Sequence, residues 1–349
     1  MATEIDKKHN EVLEFVRQRP VLSSKDIHTG LKEATSYATL KRILQRLVEE
    51  NLLVTTGQGK ATKYQLSNVY ELLHPIDVNR YFEKEVDERK IKEAFNHELV
   101  TSILPAAPIF TNDELIHLNQ LQKTYTNNVS SLTATEYIKE LERLAIDLSW
   151  KSSQIEGNTY SLLETEHLLK EKQTAAGKTK DEAIMLLNHK EALDFIIANP
   201  DYVSLLSISV IEDIHSLLIK DLAVDRNIRK RRVGISGTNY KPLDNEFQIK
   251  EALVNVCTLV NQQQNIFAKA LLLLVLISYI QPFGDGNKRT ARIISNAILI
   301  HHHYCPISFR TVDAVEYKKA MLIFYEQNNI TPFKEIFISQ FEFAVKTYF

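Results

Sequence analysis

The chain has 349 residues, 44% of them hydrophobic and 25% charged, a globular composition that excludes disordered, collagen-like and low-complexity architectures; the length points to two or three domains. Lys plus Arg (42) nearly balance Asp plus Glu (44), for a net charge of -2. The whole chain is therefore no polycation, and any nucleic-acid surface has to be local.

Residues 10–66 form a self-contained pattern. Val12, Leu13, Phe15 and Val16 mark one apolar face, Ser23 or Ser24 caps a short helix carrying Ile27 and Leu31, and Thr35 or Ser36 caps a third helix. On that third helix Leu40, Ile43, Leu44 and Leu47 fall at i, i+3, i+4, i+7. Two β-rich runs, 52–56 and 61–66, follow, joined by Gly57-Gln58-Gly59-Lys60, a hairpin signal. Three helices and a hairpin resemble a winged helix-turn-helix over residues 1–70. Lys41, Arg42, Gln45 and Arg46 on the third helix, with Lys60 and Lys63 at the hairpin, are residue types that contact phosphates and base edges in a major groove. Residues 1–70 carry 11 Lys/Arg and 8 Asp/Glu, a local +3, so DNA is the expected partner, with protein contact the alternative use of such a module. A homodimer would place two recognition helices one DNA turn apart.

Residues 71–105 read as connecting polar helix, broken at Leu104-Pro-Ala-Ala-Pro108. From 106 to 349 a second, mainly α-helical domain is expected, with helices near 112–126, 134–152, 161–172, 180–198, 206–220, 247–263, 266–280, 287–303, 313–327 and 331–347. Between them, residues 229–242, with Val233, Gly234, Ile235, Ser236 and Gly237 at the centre, read as a short β-hairpin or extended flap. Cys257 and Cys305 are too few for a zinc tetrahedron and read as buried thiols of a reducing compartment. The polar start lacks an apolar leader, and the longest uncharged apolar run, 270–280, is about half the ~20 residues a membrane span needs. A soluble, cytoplasmic protein with no membrane partner is expected.

The chemistry concentrates in residues 280–292. Gly284 and Gly286 permit a tight turn whose amides converge on an anion, and a helix starting near Asn287 aims its positive end there. Arg289 and Arg292, at i and i+3, share a face and suit phosphate oxygens; Asp285 suits a divalent cation. The same residues would also serve as a capped helix start whose arginines pair with carboxylates.

This segment resembles the Fic signature, His-x-Phe-x-Asp/Glu-Gly-Asn-Gly/Lys-Arg-x-x-Arg, through Phe283, Asp285, Gly286, Asn287, Lys288, Arg289 and Arg292, with Gln281 at the histidine position. Ser152-Ser-Gln-Ile-Glu156-Gly157 resembles the family's inhibitory motif, residues 231–242 its substrate-positioning flap, and Asp313, Glu316, Tyr317 and Ala320 its C-terminal helix. The resemblance runs over roughly residues 80–345. It implies an all-α core that binds ATP and Mg2+ and transfers AMP to a hydroxyl of a target protein. It further implies that Asp285 holds the metal, that the turn and Lys288, Arg289 and Arg292 hold phosphates, and that Glu156 restrains Arg292.

Gln281 departs from the family pattern at the general base. An amide donates or accepts a hydrogen bond but has no proton-accepting state near neutral pH, and loss of a positioned base costs on the order of 10²- to 10⁴-fold in rate. His301, His302 and His303 lie roughly 20 Å along the helix from the turn, too far to substitute; consecutive helical positions point about 100° apart, so they do not converge on a metal. His189 and His215 read as core-edge residues on apolar helices. Lys288 resembles the Doc-like branch of the family, which transfers phosphate. The expectations are thus a transferase with impaired activity, a non-catalytic nucleotide-responsive DNA-binding regulator, or a Doc-like phosphotransferase.

Overall fold

The sequence of residues 266–280, Ile-Phe-Ala-Lys-Ala followed by an almost unbroken run of Leu, Val and Ile, offers no polar face, and a helix apolar on all sides belongs in a protein interior. In the computed structural model, which describes residues 4–19, 21–31 and 35–349 and omits the side chains of residues 4–7 and 60, that helix is buried along nearly its whole length. Each Leu or Ile moved there from water contributes roughly 1.5–3 kcal/mol. The chain divides into two compact units, residues 1–75 with 106–111 and residues 76–105 with 112–349.

The first unit comprises α1 (Glu4–Arg17), β1 (Leu22–Ser23), α2 (Ser24–Gly30), α3 (Tyr37–Glu49), β2 (Leu53–Thr56) and β3 (Lys63–Leu66). Ser23 caps α2 in a reciprocal box with Asp26, and Ser36 caps α3 through the Thr39 amide. The three strands form an antiparallel sheet in the order β1-β3-β2, with Tyr64 opposite both Leu22 and Thr55. Leu40, Ile43, Leu44 and Leu47 of α3 are buried, leaving Lys41, Arg42, Gln45 and Arg46 on the outer face. The three-helix and wing arrangement is that of a winged helix; the two-residue strand β1 was not legible in the sequence.

The second unit is a helical array: α4 (Asn112–Ser131), α5 (Ala134–Ile155), α6 (Leu162–Glu171), α7 (Lys180–Ala198), α8 (Ile208–Leu218), α9 (Glu246–Gln262), α10 (Ile266–Ile280), α11 (Asn287–His301), α12 (Ala314–Gln327) and α13 (Thr331–Tyr348). Helix α10 packs against α9, α11, α12 and α13, while α7, α8 and α5 close over α11. Capping boxes at Thr133, Ser161 and Thr179 fix the starts of α5, α6 and α7. At the far end of α5, Glu156 is the C-cap, and the single tryptophan, Trp150, donates from Nε1 to the Tyr160 carbonyl at 3.0 Å, closing the loop that contains Glu156. Cys257 and Cys305 are free and buried. Among the described residues no helix is long and apolar enough to cross a membrane.

One expectation needs correction and one is narrowed. Residues 71–105 are helical only in short pieces, Tyr70–Leu73, Val78–Tyr81, Val86–Glu88, Leu99–Ile103 and Leu104–Ala106, not as one continuous helix, and residues 76–105 belong to the second unit. Tertiary hydrogen bonds replace helical ones there, from the Lys92 amide to the Glu326 carbonyl and from the Asn96 amide to the Tyr279 hydroxyl. The flap, expected as a β-hairpin or an extended segment, takes the extended form. Residues 229–242 run extended with a turn at 236–237, and their one ladder contact is a parallel bridge between Lys241 and Ala94. A flap whose pairing partner lies outside itself needs no hairpin of its own.

Candidate functional site

Helices α10 and α11 are joined by Gln281–Gly286, and the backbone of this turn is set at both ends. Gln281 ends α10 in the left-handed region (φ +51°), and Gly286 starts α11 at φ +80°. A side chain at Gly286 would be strained by that φ, and its Cβ would lie 3.2 Å from the His215 ring. Asn287 ties the turn together: its Oδ1 accepts from the Phe283 amide at 2.8 Å, and its Nδ2 donates to the Phe283 carbonyl at 2.9 Å. Beneath the turn, the His215 ring stacks on Phe283 with centroids 3.6 Å apart and planes 4° from parallel, and its Nδ1 meets Thr290 Oγ1 at 3.3 Å. Burial lowers its pKa to about 4, so His215 is neutral and serves as a floor to the turn.

Above the turn lies a cavity of about 430 Å³. Gln281, Gly284, Asp285, Gly286, Asn287 and Lys288 form its base; Val233, Gly234, Ile235 and Ser236 of the flap form one wall, and Glu156 and Gly157 another. Two of the expected phosphate ligands do not line it. Arg289 and Arg292 are buried behind the wall, each engaged by a carboxylate. Arg289 Nη2 donates to Asp285 Oδ2 at 3.1 Å, and its Nε and Nη1 have no hydrogen-bond partner among the described residues. Arg292 donates from Nε to Ser152 Oγ at 2.8 Å, and from Nη2 to the Ser152 carbonyl at 3.0 Å and to Glu156 Oε1 at 2.7 Å. Ser152 of the expected inhibitory motif thus anchors the arginine and Glu156 covers it.

The other Glu156 oxygen meets Lys288 Nζ at 3.0 Å. Burial would raise this carboxyl, but Arg292 and Lys288 outweigh it and hold it down to about 2. Gln281 is tied at both ends of its amide, donating to the Ser278 carbonyl at 2.6 Å and accepting from Asn287 Nδ2 at 3.0 Å.

Among the described residues no group of three His, Cys, Asp or Glu side chains converges on a metal. Asp285 nonetheless fits Mg2+, which is commonly bound through one or two carboxylates together with phosphates and water: its side chain is 67% exposed at the cavity and retains acceptor capacity beside the contacts to Arg289 and the Gly286 amide.

Sequence reasoning missed two groups of residues. Lys318, Met321, Leu322 and Tyr325 of α12 line the cavity; their i, i+3, i+4, i+7 spacing was a helix-face signal, but one indistinguishable from core. Arg229 was also missed. Its guanidinium donates to the carbonyls of Gln281 (2.6 Å), Arg231 (2.8 Å) and Leu243, and its amide to the Pro282 carbonyl (3.0 Å), fastening the flap stem to the turn. His301 Nδ1 stands 3.3 Å from Asp201 Oδ1, and His189 is fully buried with neither ring nitrogen hydrogen-bonded among the described residues.

In the first unit, Lys41, Arg42, Gln45 and Arg46 share the outer face of α3, although Arg46 pairs with Glu50 at 2.7 Å and Gln45 with Glu49 at 2.9 Å. Lys63 is exposed on β3, and the side chain of Lys60 lies outside those described.

Residues 205–299 match the Fic/DOC family and residues 5–107 the Penicillinase repressor family. Protein adenylyltransferases Fic from Nematostella vectensis and Culex quinquefasciatus are 28% and 27% identical over 172 and 181 residues, 48% and 49% of this chain. The matched regions span only 40% and 35% of those relatives. The fold is shared with a Fic domain containing signaling protein from Bacteroides thetaiotaomicron (TM-score 0.57, 19% identity, 66% of this chain and 94% of that one). It is also shared with Fic-1 from C. elegans (TM-score 0.59, 20% identity, 68% and 72%).

Proposed function

We propose that this chain, whose residues 205–299 match the Fic/DOC family and which is similar to protein adenylyltransferases over about half of its length, carries in its second unit an ATP-binding core of the AMP-transferring type, restrained by Glu156 and weak in turnover. The observation that carries this reading is the position of the Glu156 carboxylate, which occupies Arg292 through one oxygen and Lys288 through the other beside the glycine turn. Two cations at a helix N-terminus are a polyphosphate site, and a carboxylate in their midst competes for it.

The residues have distinct roles in this reading. The turn amides and Lys288 receive phosphate oxygens, and Arg292 joins them when Glu156 leaves. Asp285 would hold Mg2+, which when bound neutralises phosphate charge. Flap residues Val233–Ser236 orient the acceptor, a hydroxyl of a protein. Gln281 stands where a base is needed to take the hydroxyl proton, and its amide has no state that does so. Lys288 favours phosphate transfer of the Doc-like kind as the second outcome for the same site.

A second activity is proposed for the first unit. Its likeness to penicillinase repressors and the Lys41, Arg42, Gln45 and Arg46 face of α3 support DNA binding. Incubation with α-labelled and γ-labelled ATP plus Mg2+, for this chain and for Gln281→His and Glu156→Gly alone and combined, tests the core reading. Label from the α position marks AMP transfer, from the γ position phosphorylation, and no label in any variant overturns both.

A further inference from the structure

The flap that walls the cavity is held at its stem by Arg229, but the arm beyond its turn, residues 237–241, has another support. Segment 85–96 of the same unit runs beside it. Asp87 Oδ1 accepts from Asn239 Nδ2 at 2.9 Å, the Glu93 carbonyl accepts from the Lys241 amide at 2.7 Å, and Ala94 forms the parallel bridge with Lys241. Between these contacts, Arg89 Nη2 donates to the Gly237 carbonyl at 2.7 Å.

Arg89 is unlike its charged neighbours in the segment. Its side chain is 3% exposed, its guanidinium lies over the rings of Phe82 (5.0 Å) and Tyr81 (5.9 Å), and its Nη1 is 3.3 Å from Glu326 Oε1. Glu326 is itself buried, and its second oxygen accepts from the Tyr81 hydroxyl at 2.6 Å. The carboxylate and the two rings fix the guanidinium, which therefore presents one donor in a set direction rather than a mobile surface charge. Gly237 sits at φ +89°, a conformation that favours glycine, one residue beyond Ser236 of the cavity wall. The donor thus meets the flap at its bend.

We propose that Arg89 is a positioning residue for the flap: it sets where Val233–Ser236 stand over the cavity, and so the geometry of the acceptor rather than the affinity for nucleotide. The acceptor role rests on the AMP-transfer reading given above; the mechanical role does not.

Hydrogen exchange of the full chain separates the two. Arg89→Met paired with Glu326→Gln removes the donor without stranding a buried carboxylate. Exchange at amides 235–240 is expected to speed up at least 10-fold while α10 and α11 keep their protection and the Kd for ATP with Mg2+ stays within twofold. Asn239→Ala with Glu93→Ala, both on exposed side chains, removes the Asn239 bond to Asp87 and the ion pair between Glu93 Oε2 and Lys241 Nζ (2.9 Å), and is expected to speed the same amides by a smaller factor. Unchanged flap exchange in both variants, or protection lost across the whole unit, overturns the proposal. In the Gln281→His, Glu156→Gly background, the Arg89 and Glu326 changes are expected to lower acceptor labelling about 10-fold through the acceptor KM, with Arg89→Lys restoring part of it. If that background carries no label at all, AMP transfer fails as a reading while the exchange result still decides the role of Arg89.

Discussion

Lys288 Nζ stands 3.0 Å from Glu156 Oε2, 132 positions away in the chain, so the carboxylate that covers Arg292 is held by a second cation at the cavity base. A glycine at this place would leave the restraint with one partner. Release of Glu156 here requires two charge-assisted bonds to open, and it frees two cations for phosphate.

Glu156→Gly is therefore expected to tighten binding of ATP with Mg2+ by about 10-fold, on the order of 1.4 kcal/mol, measured by calorimetry. Lys288→Met in the original chain removes a restraint and a phosphate ligand together, so it should change the Kd less than it does in the Glu156→Gly background, where only the ligand is lost. Equal effects in both backgrounds would remove Lys288 from the restraint.

The restraint should be insensitive to pH across the physiological range. Arg292 and Lys288 depress the Glu156 carboxyl to about 2 against an ordinary value of 4.5, despite burial. A depressed carboxyl contributes stability that is complete above its unfolded pKa and lost as pH falls through the folded one. The ratio of ATP affinities between Glu156→Gly and the original chain should accordingly be flat from pH 5 to 8; a steep fall below pH 6 would point to another titrating group.

His215 works in the same direction for the opposite chemical reason. Burial lowers its pKa to about 4, so the unfolded chain binds the proton first as pH falls below 6.5. Stability is therefore present above 6.5 and lost on the way to 4, by about 2 kcal/mol between pH 6.5 and 5. Thermal melting of the original chain should decline over that range more steeply than that of His215→Asn. Parallel curves would mean that the imidazole is charged in the folded protein.

Restoring a base gives the catalytic prediction. Gln281→His combined with Glu156→Gly should raise transfer of α-label by on the order of 10²- to 10⁴-fold over Glu156→Gly alone, read first as self-modification. A double variant that binds ATP but stays inert would show that the flap or Lys288 has diverted the chemistry.

For the first unit, binding to DNA should weaken with salt, with a log–log slope of roughly -0.9 per phosphate neutralised. Arg42→Ala with Arg46→Ala should abolish a mobility shift and leave ATP binding intact. Because Arg46 is paired with Glu50, Glu50→Gln removes one carboxylate that competes with phosphate, and the slope should rise. A salt-independent complex would move this surface to protein contact.

Helix boundaries in the second unit were legible because apolar periodicity and capping residues agree: Thr179 through Ala198 and Asn265 through Ile280 read as helices without ambiguity. The glycine turn was legible for the same local reason. Residues 83–98 were not, since their charged sequence forms no long helix when Glu93 and Ala94 pair with a flap some 150 positions later. Arg229 escaped because its partners are backbone carbonyls, which carry no side-chain signature, and Arg89 because Glu326 and Gly237 lie some 150 to 240 positions away. Nor did spacing show that Arg289 and Arg292 stand behind the cavity wall, because their burial depends on Asp285 and on Glu156, contributed by a distant helix.

Trp150, whose indole closes the loop that contains Glu156, gives the protein an optical reporter of its own. With a single indole in the chain, tryptophan emission has one source, six residues from the carboxylate that must move. If nucleotide displaces Glu156 and loosens the bond to the Tyr160 carbonyl, the emission maximum shifts toward longer wavelength as water reaches the ring. A stopped-flow trace on mixing with ATP would then time the release of the restraint directly, with no label attached and no acceptor present.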